Sequence, residues 1–247
     1  MDREKTKILV LVEGERADVE LMAHLFDVYG ISSKHQIVSY KTNIYVLYNQ
    51  MFKNEKPEDV DLLQLLKEQE KDTEKKEIFD ERYSDILLIF DLDPQDPLFT
   101  ADKIKKMVDY FVESSDMGRL YLNYPMVESF YHMKQIPDPE YLNYRVTLDE
   151  LYHKRYKDRV NEECRNRRNK KDFASTAQEC NSVILQNIEK AWYTIGSSTY
   201  DKEKIPEALD ILISQLKSIS DKKDLAVLCT CAFYIPDYNP KLIRDNI

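Results

Sequence analysis

The sequence predicts an α/β fold, a mainly parallel sheet flanked by helices, elaborated by a helical insertion and a helical C-terminal part. Three observations predict it. Residues 8–12 and 86–90 are unbroken apolar runs of strand length, the pattern of strands buried on both faces. Stretches of helical periodicity follow both runs. The order up to residue 135 is strand, helix, strand, insertion, strand, helix, strand, helix, which right-handed crossovers convert into a parallel sheet.

The first run ends at Glu13-Gly14, where the glycine supplies a turn. Residues 18–29 then read as an amphipathic helix with Val19, Met22, Ala23 and Phe26 on one face. Gly30 stops that helix, and residues 36–40 read as a second strand. The segment 41–83 changes character. Its middle is crowded with Glu, Lys and Asp and offers only Leu62, Leu63, Leu65 and Leu66 for burial, so it reads as a charged helical insertion that interrupts the sheet. After the third strand, Pro94 and Pro97 force a loop, residues 101–114 read as a helix and 119–123 as a short strand. Pro125 suits the first turn of a helix that carries Glu128. Pro137 and Pro139 mark a boundary, which assigns residues 1–136 to the core domain and 137–247 to a mainly helical region. Residues 225–234 fit either a strand returned to the core or a last helix.

Composition narrows the function. The 247 residues are 43% hydrophobic, enough to bury a sizeable core. No stretch approaches the roughly 18 apolar residues of a membrane span, and the opening residues run straight into a strand rather than a signal peptide. The expected compartment is the cytoplasm, without a membrane partner. The four cysteines lack CxxC spacing, so reduced thiols are expected rather than a zinc site. Gly14, Gly30, Gly118 and Gly196 are too far apart for a phosphate-binding loop or a dinucleotide fingerprint, so any nucleotide-driven step belongs to another polypeptide. A net charge of -9 argues against indiscriminate coating of nucleic acid, although a local basic stretch can still grip phosphate.

The acidic residues at strand ends carry the chemistry. Open α/β sheets place ligands at the carboxyl ends of their strands, where Glu13 and the pair Asp91 and Asp93 fall if the first and third strands are parallel neighbours. Strand alternation would turn Asp91 and Asp93 to one side. Clustered, buried carboxylates repel one another unless a cation neutralises them, and an oxygen-only donor set suits Mg²⁺ or Mn²⁺. Such an ion supports in-line phosphoryl transfer. The plainer reading of each acid alone is a turn or a helix cap.

Residues 9–18 (LVLVEGERAD) together with residues 87–93 (LLIFDLD) resemble the Toprim fold, in which one hydrophobic strand ends in Glu-Gly and another in Asp-x-Asp. Residues 123–130 (NYPMVESF) are similar to an Asn-Pro-x-x-Glu-x-aromatic element of RloB-like and related Toprim proteins of phage defence, the OLD proteins among the wider group. The resemblance covers roughly residues 7–135. It implies Glu13 as metal ligand or general acid/base, Asp91 and Asp93 as the metal-binding pair, and Glu128 as a further ligand or support. It also implies a Mg²⁺- or Mn²⁺-dependent endonuclease acting on DNA or RNA, tRNA included, as an effector of bacterial antiphage defence with a separate ATPase in trans. This sequence departs from the pattern at Pro94-Gln95-Asp96-Pro97, where many relatives have glycine, and in the extra residue of Asn123-Tyr124-Pro125.

Lys154, Arg155, Lys157, Arg159, Arg165, Arg167, Arg168, Lys170 and Lys171 face only Asp158, Glu162 and Glu163 in the same stretch, a candidate nucleic-acid track; the alternatives are a solvated helix face or a surface for an acidic partner. The 17 tyrosines read as packing before base stacking. His132, four residues beyond Glu128, would share its face on one helix. Two rival readings stand. Asp91 and Asp93 also resemble the nucleophile motif of haloacid-dehalogenase-like phosphatases, and a degenerate Toprim module could serve as a sensor or assembly subunit, a homo-oligomer among its forms.

Overall fold

A computed structural model of the chain describes residues 7–53, 56–164, 170–202 and 204–244. In chain order the elements are β1 (Lys7–Val12), α1 (Ala17–Val28), β2 (His35–Ser39), α2 (Ile44–Met51), α3 (Leu62–Gln69), α4 (Thr73–Lys76), β3 (Tyr83–Asp91) and α5 (Ala101–Tyr110). They continue with β4 (Val112–Glu113), β5 (Gly118–Asn123), β6 (Arg145–Thr147), α6 (Leu148–Tyr152), α7 (Tyr156–Glu163), α8 (Ala177–Thr194), α9 (Ala208–Lys222), β7 (Asp224–Ala226), α10 (Tyr234–Tyr238) and α11 (Lys241–Arg244).

The fold is α/β with a mainly parallel central sheet in the order β2-β1-β3-β5-β4. β1 lies between β2 and β3, parallel to both, which is why residues 8–12 are apolar without alternation. β3 runs parallel to β5, so four strands point their carboxyl ends the same way. Helices cover both faces. On one, the rings of Phe26 in α1, Tyr121 in β5 and Tyr234 in α10 meet edge to face. On the other, Phe90 meets Tyr40, whose hydroxyl donates to Gln50 of α2.

Three segments differ from the sequence expectation. The helix that begins at Ala101 ends at Tyr110, because Val112 and Glu113 turn back as an antiparallel edge strand against Arg119 and Gly118. Gly118, at φ 117, supplies a conformation that other residues resist. Glu128 sits on a 3-10 turn, Val127–Tyr131, instead of a longer helix. The C-terminal segment is a strand and then a helix, but the strand does not join the core sheet: β7 pairs with β6 in a separate two-stranded sheet, an isolated bridge joins Leu228 to Tyr124, and α10 follows. Within 41–83, α2 is a core helix, capped by Asn43 and burying Ile44, Tyr45, Leu47 and Met51. The residues beyond 136 share one hydrophobic cluster with the sheet, through Val183, Ile184, Leu212 and Val227 among others. None of the described helices is long and apolar enough to cross a membrane.

Candidate functional site

The site forms where β1 and β3 end side by side. Glu13 continues the ladder by one bond, its N–H reaching the carbonyl of Ile89 at 3.0 Å. Its Oε2 then accepts the N–H of Asp91 at 3.0 Å, so the glutamate is tied to the strand that carries its partner. Asp91 is the last residue of β3 and 9% exposed. Its Oδ1 accepts from Nδ2 of buried Asn123, the neighbouring residue on β5, at 3.3 Å. Asn123 is held in turn by the N–H of Cys231, which its Oδ1 accepts at 3.2 Å.

Asp93 reaches the site by another route than strand alternation. β3 stops at Asp91, and Asp93 has φ 39, in the left-handed region that Asp tolerates better than most residues. The loop is fixed from both sides. Leu92 donates its N–H to Asn123 and Pro125 carbonyls at 3.0 and 3.1 Å, Asp93 donates to Pro125 at 3.3 Å, and the Tyr45 hydroxyl donates to the Leu92 carbonyl. Asp96 closes this loop as a turn residue, its carboxylate accepting from Asn43 Nδ2 and the Leu98 N–H at 2.7 Å each.

Asp18 is a member that the sequence reading passed over. It lies in the first turn of α1, is 5% exposed, and its Oδ1 is buried without a hydrogen-bond partner among the described residues. A Cβ on Gly14 would collide with its Oδ2, which gives the glycine of the Glu-Gly pair a second purpose. The available signal was an acidic residue five positions after Glu13, but acids in a first helical turn ordinarily serve the helix dipole. Glu128 is also buried and completes the group, with Lys157 Nζ at 2.6 Å and Lys170 Nζ at 3.7 Å from its Oε1.

Crowding shows in the proton affinities. Burial, reinforced by Asp93, Asp18 and Asp96, pushes Glu13 up to about 8 despite the opposing Asp91 N–H. Burial raises Asp18 and Asp93 to about 6 each and lifts Asp91 well above the usual carboxylate range, with Glu13 the next cause. Oxygen donors, an orphaned carboxylate oxygen and mutual repulsion fit a hard divalent cation. As the side chains stand, no three or more His, Cys, Asp or Glu among the described residues form a ready ligand set.

The basic stretch divides. Lys157 and Lys170 turn toward the carboxylates, whereas Arg155 pairs with Asp149 and Arg159 with Glu150 at 3.2 Å. Lys154 is an exposed turn residue at φ 57, and Lys171 belongs to the turn Lys170–Asp172. Arg165, Arg167 and Arg168 lie outside the described residues. His132 is directed away from Glu128, toward the Tyr156 hydroxyl and Glu163 at 3.2 Å each, and burial lowers it to about 4. Tyr45, Tyr124, Tyr141 and Tyr156 are core residues. Comparison with models of known protein families gives no match, and neither does comparison with curated proteins or with solved structures.

Proposed function

We propose that this chain is a metal-dependent nuclease of the Toprim type, cleaving phosphodiester bonds in DNA or RNA. The observation that carries the reading is the meeting of Glu13 and Asp91. These residues are 78 positions apart, yet they are joined at 3.0 Å on adjacent parallel strand ends, within a buried carboxylate group whose members raise one another's proton affinity. Glu13, Asp91 and Asp93 would hold Mg²⁺ or Mn²⁺, with Asp18 beside them. The ion, when bound, supplies Lewis-acid polarisation of a phosphoryl oxygen and acidification of water.

The protein's own groups do the rest. Asn123 and the Asp91 N–H fix the orientation of the two strand-end acids. Glu13, whose proton affinity sits near neutrality, is suited to hold or pass a proton beside the reacting phosphate. Lys157, 58% exposed and ion-paired to Glu128, is placed to exchange that partner for a backbone phosphate. An ATPase partner in trans and a role in antiphage defence extend the same reading.

The test is cleavage of plasmid, single-stranded DNA and tRNA with Mg²⁺, with Mn²⁺ and with chelator, alongside Mg²⁺ titration by calorimetry. Wild type should bind the ion and cut only in its presence. Glu13→Gln, Asp91→Asn and Asp93→Asn should lose both properties while remaining folded. Unchanged Mg²⁺ affinity in all three variants would remove the reading, as would equal cutting by wild type and Asp91→Asn.

A further inference from the structure

On the outer edge of β5 the backbone of Leu122 is left unpaired among the described residues, and a cavity lies against it. β4 covers only the start of β5, pairing with Gly118 and Arg119, and the Leu120 N–H reaches the Phe111 carbonyl at 2.9 Å. Further along, the N–H and carbonyl of Tyr124 are both taken by Leu228 at 2.8 Å. Leu122 lies between. Because the Asn123 carbonyl accepts from Leu92 on the β3 side, the alternation of the strand turns the N–H and carbonyl of Leu122 to the opposite, open edge. Among the described residues neither group has a partner there. Leu122 is 4% exposed, so an unmatched donor and acceptor are costly. A gap of one residue is too short for an added strand. It suits a small molecule that carries an acceptor and a donor side by side.

A cavity of about 320 Å³ occupies this edge. Arg119 and Tyr121 from one face of β5 and Leu120 and Leu122 from the other all line it, as only a space along the strand's edge allows. Phe111, Phe233, Val108 and Ile211 give it flat and aliphatic walls. Thr230 lines it too, and its Oγ1 is buried without a partner among the described residues. The charged lining residues are Glu113, Glu207 and Asp237 against Arg119, whose guanidinium is already committed to Asp237 at 3.0 Å. An anionic ligand is repelled, and a neutral or cationic planar heterocycle is favoured.

We propose that this cavity binds a nucleobase carried without phosphate, as the free base or a nucleoside, with its hydrogen-bonding edge on the Leu122 backbone and its ring between the apolar walls. The site is separate from the carboxylate group, and its occupancy does not depend on nuclease activity. Thr230 nonetheless stands beside Cys231, whose N–H is bonded to Asn123 and through it to Asp91, so the two sites are joined by a short chain of bonds.

Ligand-observed NMR and calorimetry on the full chain test this with adenosine, guanosine, cytidine, uridine and their 5′-monophosphates. At least one nucleoside should bind with a Kd of about 0.1 mM, the affinity of a ligand of about 19 heavy atoms at ordinary efficiency. Its monophosphate should bind at least about tenfold more weakly. Ala208→Trp, at the exposed rim of the cavity, should abolish binding, and Thr230→Val should weaken it without lowering the melting temperature. Asp91→Asn should bind the nucleoside like wild type, which separates this inference from the nuclease reading. Absence of binding by every nucleoside at about 5 mM, equal binding of the monophosphates, or undiminished binding in Ala208→Trp would each overturn it.

Discussion

Replacing Glu13 by glutamine removes the charge at the centre of the site and keeps its shape, since an amide oxygen can still accept the Asp91 N–H. Glu13 is lifted from 4.5 to about 8, chiefly by burial. The folded protein therefore holds a proton that the unfolded chain has released. Stability from this group is full below the unfolded value and falls as pH rises toward the folded one. At 1.36 kcal/mol for each tenfold change, the whole loss approaches about 5 kcal/mol, an upper bound because Asp91 and Asp93 titrate with it. Asp18 and Asp93, raised to about 6, have lost most of their protons by pH 7, which leaves Glu13 and Asp91 to set the slope above it. Urea denaturation in chelator, at steps between about pH 6.5 and 8, should show wild type losing stability more steeply than Glu13→Gln, by about 1.3 kcal/mol per pH unit at the start of the window and about half that at its end. Equal slopes, or wild-type stability that rises over this window, would refute the crowded, proton-holding cluster.

Other measurements probe the same cluster. Mg²⁺ titration near pH 7 in two buffers of different ionisation enthalpy should register release of about one proton or more per ion, with affinity improving as pH rises. Asp91→Asn, which should not hold the ion, should show neither binding heat nor proton release. Lys157→Gln should cost about 1–2 kcal/mol in chelator, less than a fully buried pair because the lysine is half-exposed. It should also reduce the salt slope of nucleic-acid binding by about one, and Lys157→Arg should restore most of the stability. Gly14→Ala should destabilise by about 1–3 kcal/mol, because its Cβ meets the Asp18 carboxylate. Unfolding curves that superimpose on wild type would show that Asp18 moves freely aside.

Glu13 and Asp91 were legible because an unbroken apolar run announces where a buried strand stops, and the residue after the run inherits the strand's end. Asp93 was legible as a member but not in its geometry, since nothing local marks the change to φ 39 after β3. Asp18 was hidden by an ordinary alternative, the acidic first turn of a helix. Lys157 and Lys170 were found as part of a charge run, yet their selection over Arg155 and Arg159 depends on tertiary placement: the arginines have Asp149 and Glu150 close in sequence, and the lysines do not. α2 falls within the expected helical insertion, but its place in the core was hidden because its apolar side, Ile44, Tyr45, Leu47 and Met51, is short and leads into a highly charged segment. β4 escaped because two residues carry no periodicity, and pairing with Gly118 and Arg119 alone defines it.

The arrangement at the strand ends is one problem of charge solved three ways in the same space. Raised proton affinity at Glu13 and Asp91 lets protons relieve the interior of the group, and the ammonium groups of Lys157 and Lys170 neutralise its rim at Glu128. A divalent cation would do the work of both at the interior, and every proton it displaces makes its affinity steeper in pH. The two lysines answer to a different competitor. Lys157 is half-exposed, so an arriving phosphate can draw it away in exchange for the pair with Glu128, a loss of about 1–2 kcal/mol that the new contact offsets, while Glu128, 2% exposed, cannot follow. Proton loss at the centre and lysine exchange at the rim are therefore separable events. Loading of the ion should follow pH and respond only weakly to Lys157, which acts on Asp18 and Asp91 through space, whereas binding of the polyanion should follow salt and depend on it directly.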